Sequence, residues 1–152
     1  MSRTTRILAV ASGGGHWIQL LRLRRAFDGC DVHYATVDAA DRAAEVDPAP
    51  CHALPDANRD GKLAMLRLGL ATVRLALRVR PDVIVTTGAA PGLLSLMAGK
   101  LVGARTLFID SMANGDELSM SGRLAVGRAD AVFTQWEHLA RVDGPHYHGA
   151  VL

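Results

Sequence analysis

A chain of 152 residues, 49% hydrophobic but only 5% aromatic, favours one domain with an aliphatic core. That suits a parallel sheet covered by helices better than an aromatic-rich sandwich. With 17 basic against 15 acidic residues the formal net charge is +2, which excludes the blanket basic surface of a nucleic-acid binder. Two cysteines, Cys30 and Cys51, form neither a metal-ligand spacing nor a disulfide framework, so no metal and a reducing cytosol are expected.

Ile7 to Ala11 is a short apolar run, too short for the hydrophobic core of a signal peptide, and no stretch approaches the roughly 20 apolar residues of a transmembrane helix. The run stops at Ser12-Gly13-Gly14-Gly15-His16, the pattern of a buried strand, a tight turn and a helix start. Trp17 to Phe27 reads as an amphipathic helix ended near Gly29, and Asp31 to Val37 as a second strand. From Asp38 to Asp60 the chain is rich in Ala, Asp and Pro and the least readable, with a short strand at Cys51–Leu54. Gly61 to Arg80 is a long helix, and Val83 to Thr87 a strand of β-branched residues. Gly88-Ala89-Ala90-Pro91-Gly92 is a second glycine-bearing turn, opening a helix to about Val102 with Pro91 in its first turn. Arg105 to Ile109 is a strand, followed by a polar loop, Asp110 to Ser119, and a short helix around Ser121–Val126. Ala131 to Thr134 is a further strand, and His146 to Leu152 a last one.

Strands alternating with helices make a Rossmann-like, doubly wound, mostly parallel sheet over residues 1–152 as a single domain. Ligands in such a sheet sit beyond the carboxyl ends of the strands. Four loops fall on that edge: Ser12–His16, Thr87–Gly92, Asp110–Glu117 and Gln135–His138. In the usual order 3-2-1-4-5, the two glycine-containing loops flank the switch point. Glycines admit close approach of backbone, and free N–H groups at a helix start attract anions, so a phosphate or diphosphate is the expected guest.

A dinucleotide site is a rival reading. Gly13 and Gly15 fit the first two glycines of G-x-G-x-x-G, and Asp38 stands where a ribose-binding acid belongs. The third small position, however, is Ile18, β-branched where helix and strand should approach closely. His16 beside three glycines can donate to a phosphate oxygen or act as a base; its plainer role is capping or packing. Asp110, at the carboxyl end of a strand, is placed for chemistry or for a cap. His52, His146 and His148 lack ligand-like company, so metal binding is not expected. Ser12 and Ser95 stand in no G-x-S-x-G elbow. On the helical wheel of Gly61–Arg80, Arg67, Arg74 and Arg78 share one stripe while leucines and valines fill most other directions. Such a helix is either buried on two sides or lies at a membrane interface, its apolar side in lipid and its arginines near anionic headgroups.

Three stretches together resemble a known family: Ala11 to His16; Arg80-Pro81-Asp82-Val83-Ile84-Val85-Thr86-Thr87-Gly88; and Phe108-Ile109-Asp110-Ser111 with Ser119 to Leu124 and Thr134-Gln135-Trp136. The chain is similar, up to its closing Tyr147–Leu152, to the acceptor-side subunit of the two-chain UDP-N-acetylglucosamine transferase of dolichol-linked oligosaccharide synthesis. It resembles still more that subunit's bacterial capsule and exopolysaccharide relatives. The resemblance implies the N-terminal half of a GT-B glycosyltransferase, inactive alone, holding a polyprenyl-diphosphate-linked sugar acceptor at the inner face of the membrane. A second chain, the C-terminal GT-B half, would supply most of the UDP-sugar site; UDP-sugar is a donor substrate, and no cofactor is implied. Ser12, Gly13, Gly14 and Gly15, with Gly88, Ala89 and Gly92, would line the acceptor's diphosphate, and His16 or Asp110 would serve as base. Asp110 matches a position that is often Glu in relatives, so its reach is one methylene shorter. The N-terminal membrane helix of the eukaryotic members has no counterpart here, which leaves attachment to Arg67, Arg74 and Arg78 on the long helix and to the partner.

Overall fold

The computed structural model describes residues 3–57 and 61–151. Residues 58–60, at the end of the stretch expected to run to Asp60, and Leu152, in the expected last strand, lie outside the described residues. Seven strands form one sheet: β1 (Arg6–Val10), β2 (Asp31–Thr36), β3 (Cys51–Ala53), β4 (Val83–Thr86), β5 (Arg105–Ile109), β6 (Ala131–Thr134) and β7 (His146–Tyr147). Their order is β3-β2-β1-β4-β5-β6-β7 and every pairing is parallel, so the doubly wound sheet expected from the sequence is the observed fold. The switch point lies between β1 and β4, whose register sets Ile7 against Val83 and Val10 against Thr86.

Side chains alternate across a strand, so β1 feeds two cores. Leu8 and Val10 join Ala35, Ile84, Phe108 and Val132 under α3 (Lys62–Val79), α4 (Ala89–Leu101) and α5 (Met120–Ala125). Ile7 and Ala9 join Tyr34, Val85 and Ile109 on the other face, under α1 (Gly14–Arg22) and α2 (Ala39–Val46). Trp17 and Leu20 of α1 are fully buried there, and Val46 of α2 nearly so.

Three elements differ most from the sequence reading, one being the last strand, expected over His146–Leu152 and observed only over His146–Tyr147. The helix expected over Trp17–Phe27 begins three residues earlier and breaks at Leu23, continuing as a 3₁₀ turn over Arg24–Phe27. The residues after Asp38 contain α2, which composition alone hid: eight residues with two apolar anchors, Ala39 and Val46, give too little periodicity to read.

The two edges of the sheet are built differently. At the amino-terminal edge Arg6 ties three elements: its Nε donates to Asp31 at 2.6 Å, its backbone N–H to Asp82 at 2.8 Å and its NH1 to the Val79 carbonyl at 2.9 Å. Arg3 also pairs with Asp82. The carboxyl-terminal edge carries the two glycine turns.

Candidate functional site

The first glycine turn positions His16. Gly13 sits at φ +150° and Gly14 at +51°, conformations that disfavour a side chain. This sharp turn starts α1 early and swings His16 toward β4. His16 Nδ1 lies 2.8 Å from the Thr87 carbonyl oxygen, while the Thr87 hydroxyl donates back to the His16 carbonyl at 2.6 Å. A carbonyl can only accept, so Nδ1 is the donor of this bond and Nε2 is the ring nitrogen left outside it. Gly88, at φ +128°, faces the same ring: a Cβ there would lie 3.0 Å from His16 Cε1. The two glycine loops therefore meet across the switch point through one half-buried imidazole.

Beside this bridge opens a cleft of about 450 Å³. Ser12 and Val37 line its sheet end, Ala89, Ala90, Leu93 and Leu94 its α4 wall, and Met120, Ser121 and Leu124 its α5 wall. A second, apolar groove of about 370 Å³ runs between α3 and α4. Met65 and Leu94 border both, so the cleft and the groove are neighbours.

Helix starts α1 and α4 both have glycine at the N-cap and no side-chain cap, leaving their first-turn N–H groups open. They are not equivalent. The Asp38 carboxylate crowds Gly13, its Oδ2 2.7 Å from where a Cβ would stand, so a protein anion already faces the positive end of α1. Ala89 and Ala90, at the start of α4, face the cleft itself. Of the residues expected to contact a diphosphate, Ser12 and Ala89 line the cleft, and Gly88 caps the helix that opens on it. Gly13, Gly14 and Gly15 shape the turn that carries His16. Gly92 does neither: a Cβ there would lie 2.0 Å from Thr86 Oγ1, so its role is to let α4 lie flat on β4.

Asp110 is 2% exposed and its carboxylate is fully engaged. Oδ2 accepts from the Ser119 N–H at 2.9 Å; Oδ1 accepts from the Ser119 hydroxyl at 2.6 Å and from Asn114 at 3.4 Å. Ser119 in turn caps α5, accepting from the Gly122 N–H at 2.9 Å. Through Ser119, Asp110 holds the α5 wall. Sequence reasoning missed the rest of this bracing. Gln19, 6% exposed on α1, donates to Ser111 at 2.9 Å and accepts from Gln135 at 2.7 Å, and Gln135 also donates to the Asp110 carbonyl at 2.9 Å. Trp136 donates to the Met112 carbonyl at 2.8 Å and packs on Gly115. Glutamine carries no sequence signal for burial; only the fold turns Gln19 inward.

The objection to a dinucleotide at Ile18 fails on geometry: Ile18 is 50% exposed, and Trp17 is the residue packed on the sheet. What stands across the switch point instead is the His16–Thr87 bridge. His52 also has company the sequence did not reveal, as its Nε2 lies 3.0 Å from His33 Nδ1. Among the described residues no cluster of three metal-ligating side chains forms.

On α3, Leu68, Leu75 and Val79 face the core, while Leu63, Leu66, Leu70 and Leu77 are 50–61% exposed. Arg67, Arg74 and Arg78 run beside that apolar row, all exposed. Among the described residues, α3 is therefore covered on one side only. Met97 and Leu101 of α4 and Met120 and Leu124 of α5 extend the exposed apolar surface on the same side of the sheet. No described helix is long and apolar enough to cross a membrane.

In fold the chain is similar to MurG of Acinetobacter baumannii, with a TM-score of 0.75 at 13% identity over 96% of this chain and 45% of that one. It is similar also to the UDP-GlcNAc 2-epimerase of Methanocaldococcus jannaschii (TM-score 0.67, 15% identity, 86% and 39% covered). A glycosyltransferase of Rickettsia africae matches with a TM-score of 0.62 at 14% identity, over 88% and 37%. The chain thus spans less than half the length of each of these proteins. No curated protein matches it in sequence. The model of the family described as "Oligosaccharide biosynthesis protein Alg14 like" matches residues 62–151, from the first residue of α3 through β7; Gly88, Asp110 and the arginines of α3 lie inside the match and the Gly13–His16 turn outside it. With more than half of its length so matched, the chain belongs to the Alg14-like family of oligosaccharide biosynthesis proteins.

Proposed function

We propose that this chain is the acceptor-binding half of a two-chain glycosyltransferase. It holds a polyprenyl-diphosphate-linked sugar at a membrane surface while a partner chain presents a UDP-sugar. The observation that carries this reading is the adjacency of the α4–α5 cleft, at an uncapped helix start, to the apolar groove between α3 and α4, with Met65 and Leu94 bordering both. An isoprenoid chain suits the groove, and the diphosphate suits the Ala89–Ala90 N–H groups, in a cleft whose one charged wall residue among the described residues is Asp56. The exposed leucines of α3 and the arginines beside them suit the lipid surface from which such a chain emerges.

In the reaction the acceptor hydroxyl oxygen bonds to the anomeric carbon of the donor as the bond from that carbon to the UDP β-phosphate oxygen breaks. The electron pair leaves with UDP, and the hydroxyl proton passes to a base. His16 Nε2 has the tautomer for that task, because Thr87 holds the proton on Nδ1. Asp110 contributes by holding α5. Charge developing on UDP is stabilised by the partner.

Photolabelling tests the acceptor site. A polyprenyl diphosphate with a diazirine in its isoprenoid chain should label Met65, Leu94 or Met97, and unlabelled lipid should compete. Labelling spread evenly over the surface would refute the assignment.

A further inference from the structure

Away from the cleft, the outer edge of the sheet carries a notch of about 300 Å³ between β3 and α3, lined by His52, Ala53, Ala71, Arg74, Leu75 and Arg78. Arg74 and Arg78 stand one helical turn apart on the same face, where like charges repel. Neither pairs with a carboxylate among the described residues. The third polar wall is His52, and it ends a chain of polar contacts. His52 Nε2 lies 3.0 Å from His33 Nδ1, His33 Nε2 lies 3.5 Å from Asp31 Oδ1, and Asp31 accepts from Arg6 at 2.6 Å.

We propose that His52, Arg74 and Arg78 form a binding site for a phosphate-bearing anion, distinct from the acceptor cleft, whose occupancy is coupled to protonation of the His33–His52 pair. Two guanidiniums supply fixed charge and fork-shaped donors, which match phosphate oxygens. His52 supplies the variable donor. When the pair gains a proton, His33 can donate from Nε2 to Asp31 and from Nδ1 to His52, leaving His52 Nδ1–H to donate to the anion. The charged and titratable groups around the pair are Arg6 of β1, Asp31 of β2, and Arg74 and Arg78 of α3. Burial, then the neighbouring His33 and Arg78, push the His52 pKa down, so at neutral pH the ring is uncharged and a bound anion would draw the proton in. The phosphate could belong to a lipid headgroup, since α3 also carries the exposed leucine row, or to a soluble phosphate monoester; the site chemistry is the same.

The test is histidine-resolved NMR on the full chain, with inorganic phosphate in one arm and phosphatidylglycerol vesicles in the other. Phosphatidylcholine vesicles and chloride at matched ionic strength are the controls. In at least one arm the His52 and His33 ring signals should shift saturably, and the apparent pKa of the coupled pair should rise by about half a unit or more. Arg74→Gln/Arg78→Gln should abolish both effects, whereas Arg105→Gln, an exposed arginine on another strand, should leave them intact. Saturation by inorganic phosphate identifies a soluble ligand, and a response to phosphatidylglycerol alone identifies a headgroup. The proposal is overturned if neither arm moves the histidine signals in the wild-type chain, or if Arg105→Gln weakens the response as much as the double variant does. Sugar transfer enters no readout, so failure here leaves the acceptor reading standing, and the reverse.

Discussion

Replacing Asp110 by Asn separates a catalytic carboxylate from a structural one. The substitution keeps size and shape, but one oxygen becomes an NH₂ group. If the amide nitrogen takes the Oδ2 position it faces the Ser119 N–H, donor against donor; if it takes the Oδ1 position it faces the Asn114 amide and the Ser119 hydroxyl. Either way at least one hydrogen bond to a buried charge is lost, a loss of about 1.5–3 kcal/mol. Part of the Ser119 cap on α5 goes with it, and a whole cap contributes about 1 kcal/mol. The variant should therefore lose roughly 2–3 kcal/mol in all. At about 2–4 °C per kcal/mol for a chain of this size, Tm should fall by about 4–12 °C. Thermal unfolding by circular dichroism reads the shift directly, and acceptor binding should weaken in step, because Met120, Ser121 and Leu124 ride on α5. A variant that melts within about 1 °C of wild type yet transfers no sugar would refute this reasoning and return Asp110 to the role of base.

Further outcomes follow from the same geometry. Gly92→Ala forces a methyl to within 2.0 Å of Thr86 Oγ1 and should destabilise by about 1–3 kcal/mol or more, read as a lower denaturation midpoint, whereas Gly15→Ala, with open space around it, should stay within about 1 kcal/mol. His52, held neutral by burial, is protonated in the unfolded chain below its ordinary value of 6.5. The unfolded state then binds more protons, so stability should fall as pH drops through and below 6.5, and His52→Gln should flatten that part of the curve in urea titrations. Leu66→Ser/Leu70→Ser should weaken binding to anionic vesicles tenfold or more, given about 1.5 kcal/mol or more per leucine buried in lipid, with little change in Tm because both are half exposed. Arg67, Arg74 and Arg78 changed together to Gln should remove most of the salt dependence of that binding.

The sheet was legible because its signals are local. β5 and β6 coincide with the expected strands, and β1 and β4 lie within a residue of theirs, since β-branched runs bounded by Gly or Pro need no tertiary information. The helix expected over Gly61–Arg80 proved to be α3 with Gly61 and Arg80 as its caps. Roles at the site were less legible, because they depend on which strand ends the topology brings together. His16 could be picked out as chemistry-bearing, but its partner, the Thr87 carbonyl, lies 71 residues away and leaves no trace in residue type. Gly88 and Gly92 look alike in sequence, yet one faces an imidazole and the other a threonine on β4. Nothing in the sequence shows that Ser119, nine residues on, donates to both oxygens of Asp110. The lining of the cleft by Met120 and Leu124 was missed for the same reason: apolar residues on a short helix signal core, and here they face open space.

The central claim, that this chain is one half of a catalyst and His16 its base, is tested most directly by reconstituted sugar transfer. Each chain is assayed alone and then mixed, with UDP-sugar and a polyprenyl-diphosphate-sugar acceptor in vesicles. The account predicts no product from either chain alone and turnover from the mixture. It also predicts a rate lower by about a hundredfold or more with His16→Ala, without loss of acceptor labelling. Transfer by this chain without a partner, or an undiminished rate with His16→Ala, would contradict it.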